Sequence, residues 1–109
     1  MNLSQNGSAK NKKQLSIILA TFNESQNILK MLNSIDNVLP SNIDSEIIVV
    51  DDNSPDGTGT IVENYIKTKK NENLSIGVIH RIDKRGLSSA IIEGFHSANG
   101  EMILVMDTD

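Results

Sequence analysis

The stretch Glu46-Ile-Ile-Val-Val-Asp-Asp-Asn-Ser-Pro-Asp-Gly-Thr-Gly59 is the most informative about the fold of this chain. Its apolar run, Ile47 to Val50, is entirely β-branched, and such runs are typical of parallel strands that are covered on both faces. The residues that follow are dense in Asp, Asn, Ser, Pro and Gly, which predicts a loop over Asp51–Gly59. A buried strand that runs directly into a polar loop indicates an α/β sheet with a ligand site at the strand end.

The same alternation continues on both sides of this stretch. Strands are predicted at Leu15–Ala20, Glu46–Val50, Leu74–Ile79 and Met102–Met106. The first predicted helix has Asn23 as N-cap and Gln26 as capping-box partner, and it ends at Pro40 and Asn42. The second opens at Thr58 or Thr60, and the third spans Leu87–Ala98 and stops at Gly100. This order predicts a doubly wound α/β fold with a mostly parallel sheet, with Tyr65 and Phe95 in its core.

The composition excludes several classes of protein. The chain has 109 residues, enough for one small domain or part of a larger one. It has no cysteine and only two histidines, which excludes disulfide scaffolds, thiol catalysis and metal sites built on cysteine or several histidines. A net charge of −4 and an aromatic content of 3% argue against nucleic-acid binding. Its apolar runs are too short to span a bilayer.

Two parts of the chain differ in polarity. Residues 1–13 are polar and are interpreted as a flexible tail, with contact to an anionic membrane as the less favoured alternative. Residues 14–109 carry the predicted strands and helices. Because the last predicted strand runs into acidic residues at the end of the sequence, we expect residues 14–109 to be the first part of a larger domain.

Five carboxylates that follow predicted strands are candidates for one shared site. They are Glu24 after the first strand, Asp51 and Asp52 after the second, and Asp107 and Asp109 after the fourth. The carboxyl ends of parallel strands meet at one sheet edge, so these groups are expected to converge there. Like charges held together need a cation, which predicts Mg²⁺ or Mn²⁺ assisted by basic side chains of the third loop. An isolated acidic strand end, by contrast, is more often a solvated turn.

Two further features have alternative interpretations. Asp51 and Asp52 either accept a hydrogen bond from a base or ribose or belong to a turn that caps the next helix, a task that Asp56 or Thr58 could perform instead. In the loop His80–Gly86, the basic residues either contact phosphate or form a solvated loop. These basic residues are Arg81, Lys84 and Arg85. Asp36 occupies a plain position on the first helix and is expected to tolerate replacement.

Four segments together resemble family-2 glycosyltransferases. They are Ser16-Ile-Ile-Leu-Ala-Thr-Phe-Asn-Glu24, Glu46-Ile-Ile-Val-Val-Asp-Asp-Asn-Ser-Pro-Asp-Gly-Thr58, Lys84-Arg-Gly-Leu-Ser-Ser-Ala90 and Val105-Met-Asp-Thr-Asp109. The second segment is most similar to dolichol-phosphate mannosyltransferases and their polyprenyl-phosphate relatives. The resemblance covers residues 14–109 and implies that they form the N-terminal, nucleotide-binding half of a GT-A fold.

This resemblance also implies roles for particular residues. Ala20, Phe22 and Glu24 would line the nucleoside pocket, and Val50, Asp51 and Asp52 would contact the base or ribose. Asp107, Thr108 and Asp109 would form the Asp-x-Asp motif, whose two aspartates are the implied catalytic and metal-binding residues and contact the diphosphate. Ala20 stands where close relatives usually have Pro, Phe22 where they often have Tyr, and Thr108 where Ala is common.

The activity implied by the resemblance is inverting transfer of a sugar to a lipid phosphate. The favoured donor is GDP-mannose and the acceptor a polyprenyl or dolichyl phosphate, at the cytosolic face of a membrane reached through a later part of the protein or a partner. The alternatives are another donor with a saccharide acceptor, or a truncated chain that binds nucleotide without catalysis. A receiver-like Mg²⁺-binding domain is less favoured, because its paired acids follow the first strand. The 109-residue chain alone is expected not to transfer sugar.

Overall fold

The structure, a computed structural model, describes residues 12–83 and 85–108. It contains seven elements in strict alternation, and their bounds are β1 Lys13–Thr21, α1 Ile28–Val38, β2 Ser45–Asp51, α2 Thr58–Ile66, β3 Leu74–His80, α3 Leu87–Ser97 and β4 Gly100–Met106. All described strand pairs are parallel, in the order β3-β2-β1-β4. The prediction of a doubly wound, parallel α/β fold is therefore confirmed.

The strand order places a topological switch point at β1. The chain moves outward from β1 to β2 and β3, and then α3 carries it back so that β4 pairs with the other side of β1. In such sheets a crevice opens beside the carboxyl ends of the two strands at the switch, because the connections leave them in opposite directions. The ends of β1 and β4 are therefore the expected place for a ligand.

Two apolar layers cover the sheet on opposite faces. Strand β2 contributes to both layers, because its alternate side chains point to opposite faces. Ile47 and Val49 pack on the face of α1 and α2, and Ile48 and Val50 pack on the face of α3. This burial on both faces is what its β-branched run predicts. α3 meets the sheet through small residues, since a Cβ atom at Gly94 would lie 2.7 Å from Cγ2 of Ile18.

Most predicted bounds agree with the structure to within two residues, and three details differ. Asn23 is not a helix N-cap: it has a φ of 58°, and α1 begins later, at Ile28, with Asn27 as its cap. Gly100 is the first residue of β4, and α3 ends instead at Ser97, with the extended residue Ala98 as its C-cap. Lys13, assigned to the tail, is the first residue of β1 and pairs with Gly100, whereas residues 1–11 of that tail lie outside the described residues.

One prediction about burial was confirmed and one was wrong, and the buried position of Asp36 was not predicted. Tyr65 is buried, as expected, whereas Phe95 is 56% exposed. The buried residues of α3 are Ala90 and Gly94, and Phe95 lies one position beyond this stripe on the helix, where its side chain meets solvent. Asp36 is not a plain surface position, because it is buried and accepts a hydrogen bond from the Tyr65 hydroxyl at 2.7 Å. Within the described residues, no helix has both the length and the apolarity needed to cross a membrane.

Candidate functional site

A pocket of about 250 Å³ lies at the carboxyl end of β1, beside the switch point. Its lining comes from the end of β1, the residue after β2 and the start of α3, and comprises Ala20, Thr21, Phe22, Asp52, Arg85, Gly86, Leu87 and Ala90. Three of the residues predicted for a nucleoside pocket, Ala20, Phe22 and Asp52, are thus brought together. Val50, also predicted, is completely buried and packs among the apolar residues of the α3 face.

Phe22 and Arg85 form one wall of this pocket. The guanidinium carbon of Arg85 lies 4.5 Å from the centroid of the Phe22 ring, the geometry of a cation–π contact. Phe22 is 41% exposed, so its ring is accessible from the pocket side. A flat aromatic ring with a cation beside it suits a planar base that carries an anionic tail.

Asp52 is the polar centre of the pocket, and its carboxylate is held from two directions. Oδ1 accepts a hydrogen bond from Arg81 Nε at 2.6 Å, and Oδ2 accepts one from Arg81 Nη2 and one from the Gly86 backbone N–H, both at 3.0 Å. Burial raises the pKa of the Asp52 carboxyl, but these hydrogen bonds and the Arg81 charge outweigh burial, so the pKa lies below its ordinary value. Asp52 is therefore a carboxylate, and acceptor-only, at neutral pH.

Asp51, the other acid of the pair, faces the interior of the loop and is 2% exposed. Its Oδ1 accepts hydrogen bonds from the hydroxyls of Thr21 and Ser54, both at 2.6 Å, and its Oδ2 accepts one from the Ser54 backbone N–H at 3.0 Å. These contacts join the end of β1 to the loop after β2. Asp51 therefore shapes the loop from within, whereas Asp52 is among the residues that line the pocket.

Three further hydrogen bonds tie the loop after β1 to the loop after β2. The backbone N–H groups of residues 23, 24 and 25 donate, at 2.9–3.0 Å, to side chains of the second loop and of the first residue of α2, namely Ser54, Thr58 and Asp56. Asp56 also accepts from the backbone N–H and the hydroxyl of Thr58, the first residue of α2. Asp56 thus caps the start of α2, a role for which the sequence indicated Asp56 or Thr58. The predicted site residue Glu24 lies in this junction, half-buried, and its carboxylate accepts from Asn27.

The acidic residues after β4 lie at the other side of the switch point. Asp107 is exposed directly after the strand and Thr108 is buried, whereas Asp109 lies outside the described residues. Among the residues that the structure describes, no three acidic or histidine side chains come together as a metal site. The predicted convergence of carboxylates around a cation is therefore not found there, and the counter-ion of Asp52 is Arg81.

A divalent cation does not require such a cluster. Mg²⁺ and similar ions are commonly held by one or two carboxylates together with phosphate oxygens and water. Asp107, an exposed carboxylate after β4 at the switch point, fits as one of those ligands, with Asp109 as the predicted second. The donor set after β4 is all oxygen, which suits Mg²⁺ or Mn²⁺.

The basic loop after β3 is divided between two environments. Arg85 is exposed at the pocket wall, where a phosphate could reach it, and Lys84 lies outside the described residues. Arg81 is only 4% exposed, and its Nε and Nη2 atoms are bonded to Asp52. Arg81 is therefore neither part of a solvated loop nor open to a phosphate, and both of its sequence-based interpretations were wrong.

The Asp52–Arg81 pair was missed from sequence, although a signal for it exists. Asp51 and His80 are register partners in the parallel pair β2–β3, so Asp52 and Arg81 are the next residues along adjacent strands. Opposite charges at that position predict a pair once the register is known. The chain by itself does not reveal the register of two parallel strands, which are connected through a whole helix.

Comparison with known proteins agrees with this geometry. The family model described as Glycosyl transferase family 2 matches residues 16–109. The chain is 38% identical over 96 residues to a dolichol-phosphate mannosyltransferase of Pyrococcus furiosus, an alignment that covers 88% of this chain and 26% of the relative. It is 35% identical over 95 residues to an undecaprenyl-phosphate mannosyltransferase of Micrococcus luteus, covering 84% of this chain and 36% of the relative.

Two solved structures share the backbone arrangement. The mannosyltransferase PcManGT from Pyrobaculum calidifontis, in complex with GDP-Man and Mn²⁺, matches with a TM-score of 0.78 and 27% identity over 90% of this chain and 28% of that one. S. aureus TarS 1-349, in complex with UDP, matches with a TM-score of 0.74 and 30% identity over 88% of this chain and 27% of that one.

This chain therefore spans only about a quarter to a third of the length of the relatives that it matches. Within that span the correspondence is almost complete, since the family model reaches from β1 to the acidic residues after β4. The chain belongs to glycosyl transferase family 2 and has the parallel α/β architecture of the GT-A glycosyltransferases.

Proposed function

We propose that this chain binds the donor in an inverting glycosyltransferase that moves mannose from GDP-mannose to a polyprenyl or dolichyl phosphate. The observation that carries the proposal is the pocket at the carboxyl end of β1, which joins Phe22, Asp52 and Arg85 beside the switch point. The relatives named for transfer to dolichol phosphate and undecaprenyl phosphate support the acceptor class, and the structure with GDP-Man supports the donor.

Asp52 is the residue that recognises the nucleoside in this proposal. An ionised carboxylate has about four acceptor positions. Arg81 and Gly86 occupy three of them, one on Oδ1 and two on Oδ2. One position on Oδ1 is therefore left for an N–H or O–H group of a base or ribose in the pocket.

The diphosphate is placed near Arg85, Asp107 and Asp109 in this proposal. Arg85 neutralises part of the phosphate charge from the pocket wall, and Lys84 is proposed to do the same. Asp107 and Asp109 would hold Mg²⁺ or Mn²⁺ together with diphosphate oxygens, and Thr108 lies between them. When bound, the cation stabilises the negative charge on the departing nucleoside diphosphate.

The proposed reaction needs no strong base when the acceptor is a lipid phosphate. A phosphate monoester has a second pKa of about 6, so it is already a nucleophile at neutral pH. One of its oxygens forms a bond to the anomeric carbon while the bond from that carbon to the diphosphate oxygen breaks, with inversion at the carbon. The proposed place for this reaction is the cytosolic face of a membrane.

A second candidate is transfer from a UDP-sugar to a saccharide hydroxyl. The TarS structure with UDP supports the donor of this candidate, because its identity to this chain is similar to that of the GDP-Man complex. A hydroxyl acceptor requires a general base, a role that we assign to no residue of this chain. The two candidates therefore differ in both the nucleotide and the acceptor, and one experiment separates them.

The test is titration calorimetry of the protein with GDP and with UDP in the presence of Mn²⁺. Transfer assays follow on a protein of the relatives' full length, with labelled GDP-mannose and UDP-sugars as donors and with polyprenyl phosphate and a saccharide as acceptors. We expect tighter binding of GDP and transfer only from GDP-mannose. Asp52→Asn should weaken GDP binding about tenfold, the effect of one charge-assisted hydrogen bond. Asp44→Asn, at an exposed position before β2, is the matched control.

Three results would contradict the proposal. Tighter binding of UDP with transfer to a saccharide would favour the second candidate. Nucleotide binding without transfer by a protein of the relatives' full length would favour a non-catalytic role. Equal effects of Asp52→Asn and Asp44→Asn would remove Asp52 from the nucleoside site.

A further inference from the structure

Arg81 is a buried cation that joins three parts of the chain. Its guanidinium donates to Asp52 after β2, to the Gly86 carbonyl oxygen at 3.1 Å before α3, and to Glu93 on α3 at 3.5 Å. Its own backbone N–H donates to the Asp51 carbonyl oxygen at 2.8 Å. The loop after β3 is thus anchored to β2 through both its backbone and its side chain.

Gly86 is the point at which this anchoring reaches the pocket. Its backbone N–H donates to Asp52, and its carbonyl oxygen accepts from Arg81 and also from the Ala90 N–H in the first turn of α3. Its φ of 122° is a conformation that favours glycine. Because Arg85 and Leu87 flank Gly86, the placement of this one residue sets the position of both in the pocket wall.

We infer that Arg81 is a positioning residue of the donor site, which holds Asp52 and the Arg85–Gly86 turn in the arrangement that forms the pocket. This inference rests on the proposed nucleotide-binding function. Arg81 acts through Asp52 and Gly86, and not by contact with the ligand. It does not line the pocket at the end of β1, and its Nε and Nη2 atoms are already bonded to the protein.

Two properties of Arg81 matter for this role. The planar guanidinium spans both oxygens of Asp52 and still reaches Gly86, which the single ammonium of lysine cannot do. Its charge also keeps the buried Asp52 ionised, with Arg85 as a further nearby cation and Glu93 as the acid on the other side of Arg81. Arg81→Lys therefore keeps a positive charge in place, but it cannot contact both oxygens of Asp52 and the Gly86 carbonyl oxygen together. The Asp52 carboxylate is then less firmly held and less strongly stabilised in its ionised form.

The test compares GDP affinity of wild-type protein, Arg81→Lys and the exposed control Lys67→Met at pH 8 and pH 5. Each dissociation constant is divided by the wild-type constant at the same pH, which cancels the effect of GDP protonation on binding. We expect Arg81→Lys to bind about tenfold more weakly at pH 8 and more weakly still at pH 5, where an inadequately supported Asp52 begins to take up a proton. Lys67→Met should match wild type at both values.

Two results would overturn the inference. One is a GDP affinity of Arg81→Lys equal to that of wild type at both pH values, and the other is a loss of affinity of the same size at pH 8 and pH 5. If Arg81→Lys does not fold, NMR of the wild-type protein decides. Addition of GDP should shift the Nε–H signal of Arg85 and leave that of Arg81 nearly unchanged, and the reverse result would make Arg81 a direct ligand contact. If wild-type protein binds neither GDP nor UDP, the proposed function fails instead. The positioning role is then tested by hydrogen exchange: the Gly86 amide should be protected in wild type and lose that protection in Arg81→Lys.

Discussion

The Tyr65 hydroxyl donates a 2.7 Å hydrogen bond to Oδ2 of Asp36, which joins α2 to α1 through a buried carboxylate. Asp36 also accepts from the backbone N–H groups of Lys70 and Asn71, each at 3.3 Å, in the segment after α2. Burial, followed by the bond to Asp36 and its charge, raises the pKa of Tyr65 to about 12. A residue at an ordinary position of the helical pattern thus organises the connection between α2 and β3.

We expect Asp36→Ala to lower the free energy of unfolding by about 1–3 kcal/mol, because it leaves the hydroxyl and two backbone donors without this acceptor. Urea denaturation measures the change, and Asn37→Ala, at the exposed neighbouring position, is the control. A loss no larger than that of the control would show that water replaces the carboxylate at no cost.

Gly94 is expected to tolerate no side chain. A Cβ atom there would lie 2.7 Å from Ile18 and 3.3 Å from Val50, so Gly94→Ala should destabilise the fold by about 1–3 kcal/mol through overpacking. Gly77→Ala in β3 is the matched control, since a Cβ atom at that position would meet no other atom within 4 Å. That control should stabilise the strand by roughly 0.5–1 kcal/mol. Equal thermal unfolding midpoints for the two variants would contradict the close packing of α3.

The contact between Phe22 and Arg85 is expected to produce an energetic coupling. A double-mutant cycle with Phe22→Leu and Arg85→Met should give a coupling of about 0.5–1 kcal/mol in the free energy of unfolding, the usual size of an exposed cation–π contact. Additive effects of the two substitutions would mean that the two side chains do not interact in solution.

Asp56 is expected to make the fold sensitive to acid. Hydrogen bonds, the first of them from Thr58, lower its pKa from the ordinary 3.8 to about 2. A lowered pKa in the folded state contributes stability that is present above about pH 4 and is lost as the pH falls toward 2. Urea midpoints between pH 6 and pH 2.5 should therefore fall less steeply in Asp56→Asn than in wild type. Asp83→Asn, which removes the same charge at another exposed loop position, should retain the wild-type slope.

Asp107 is expected to couple nucleotide affinity to the metal. Mn²⁺ should strengthen GDP binding by wild-type protein, and Asp107→Ala should reduce that gain by about tenfold or more, because one proposed cation ligand is lost. In a protein of the relatives' full length, Asp109→Ala is predicted to abolish metal-dependent transfer. Asp44→Ala, at an exposed position before β2, is the control. A Mn²⁺ effect that persists unchanged in Asp107→Ala would place the cation elsewhere.

Local sequence patterns were sufficient to establish the elements of this fold and the class to which it belongs. The β-branched run Ile47–Val50 and the polar loop after it are such patterns, because a strand buried on both faces requires apolar residues at successive positions. The place of Asp52 directly after a buried strand indicated a site residue, the family resemblance implied Ala20 and Phe22, and the pocket brings the three together. The roles of these residues in binding remain predictions.

Which residues meet across the chain was established by the tertiary structure alone. The order β3-β2-β1-β4 brings Arg81 beside Asp52, turns Phe95 outward over the small Gly94, and buries Asp36 under Tyr65. Side-chain periodicity indicates which face of an element is buried, but it does not indicate which other element covers that face. The partners of a charged group are fixed by strand register and helix approach, and these are set by the packing of residues far apart in sequence.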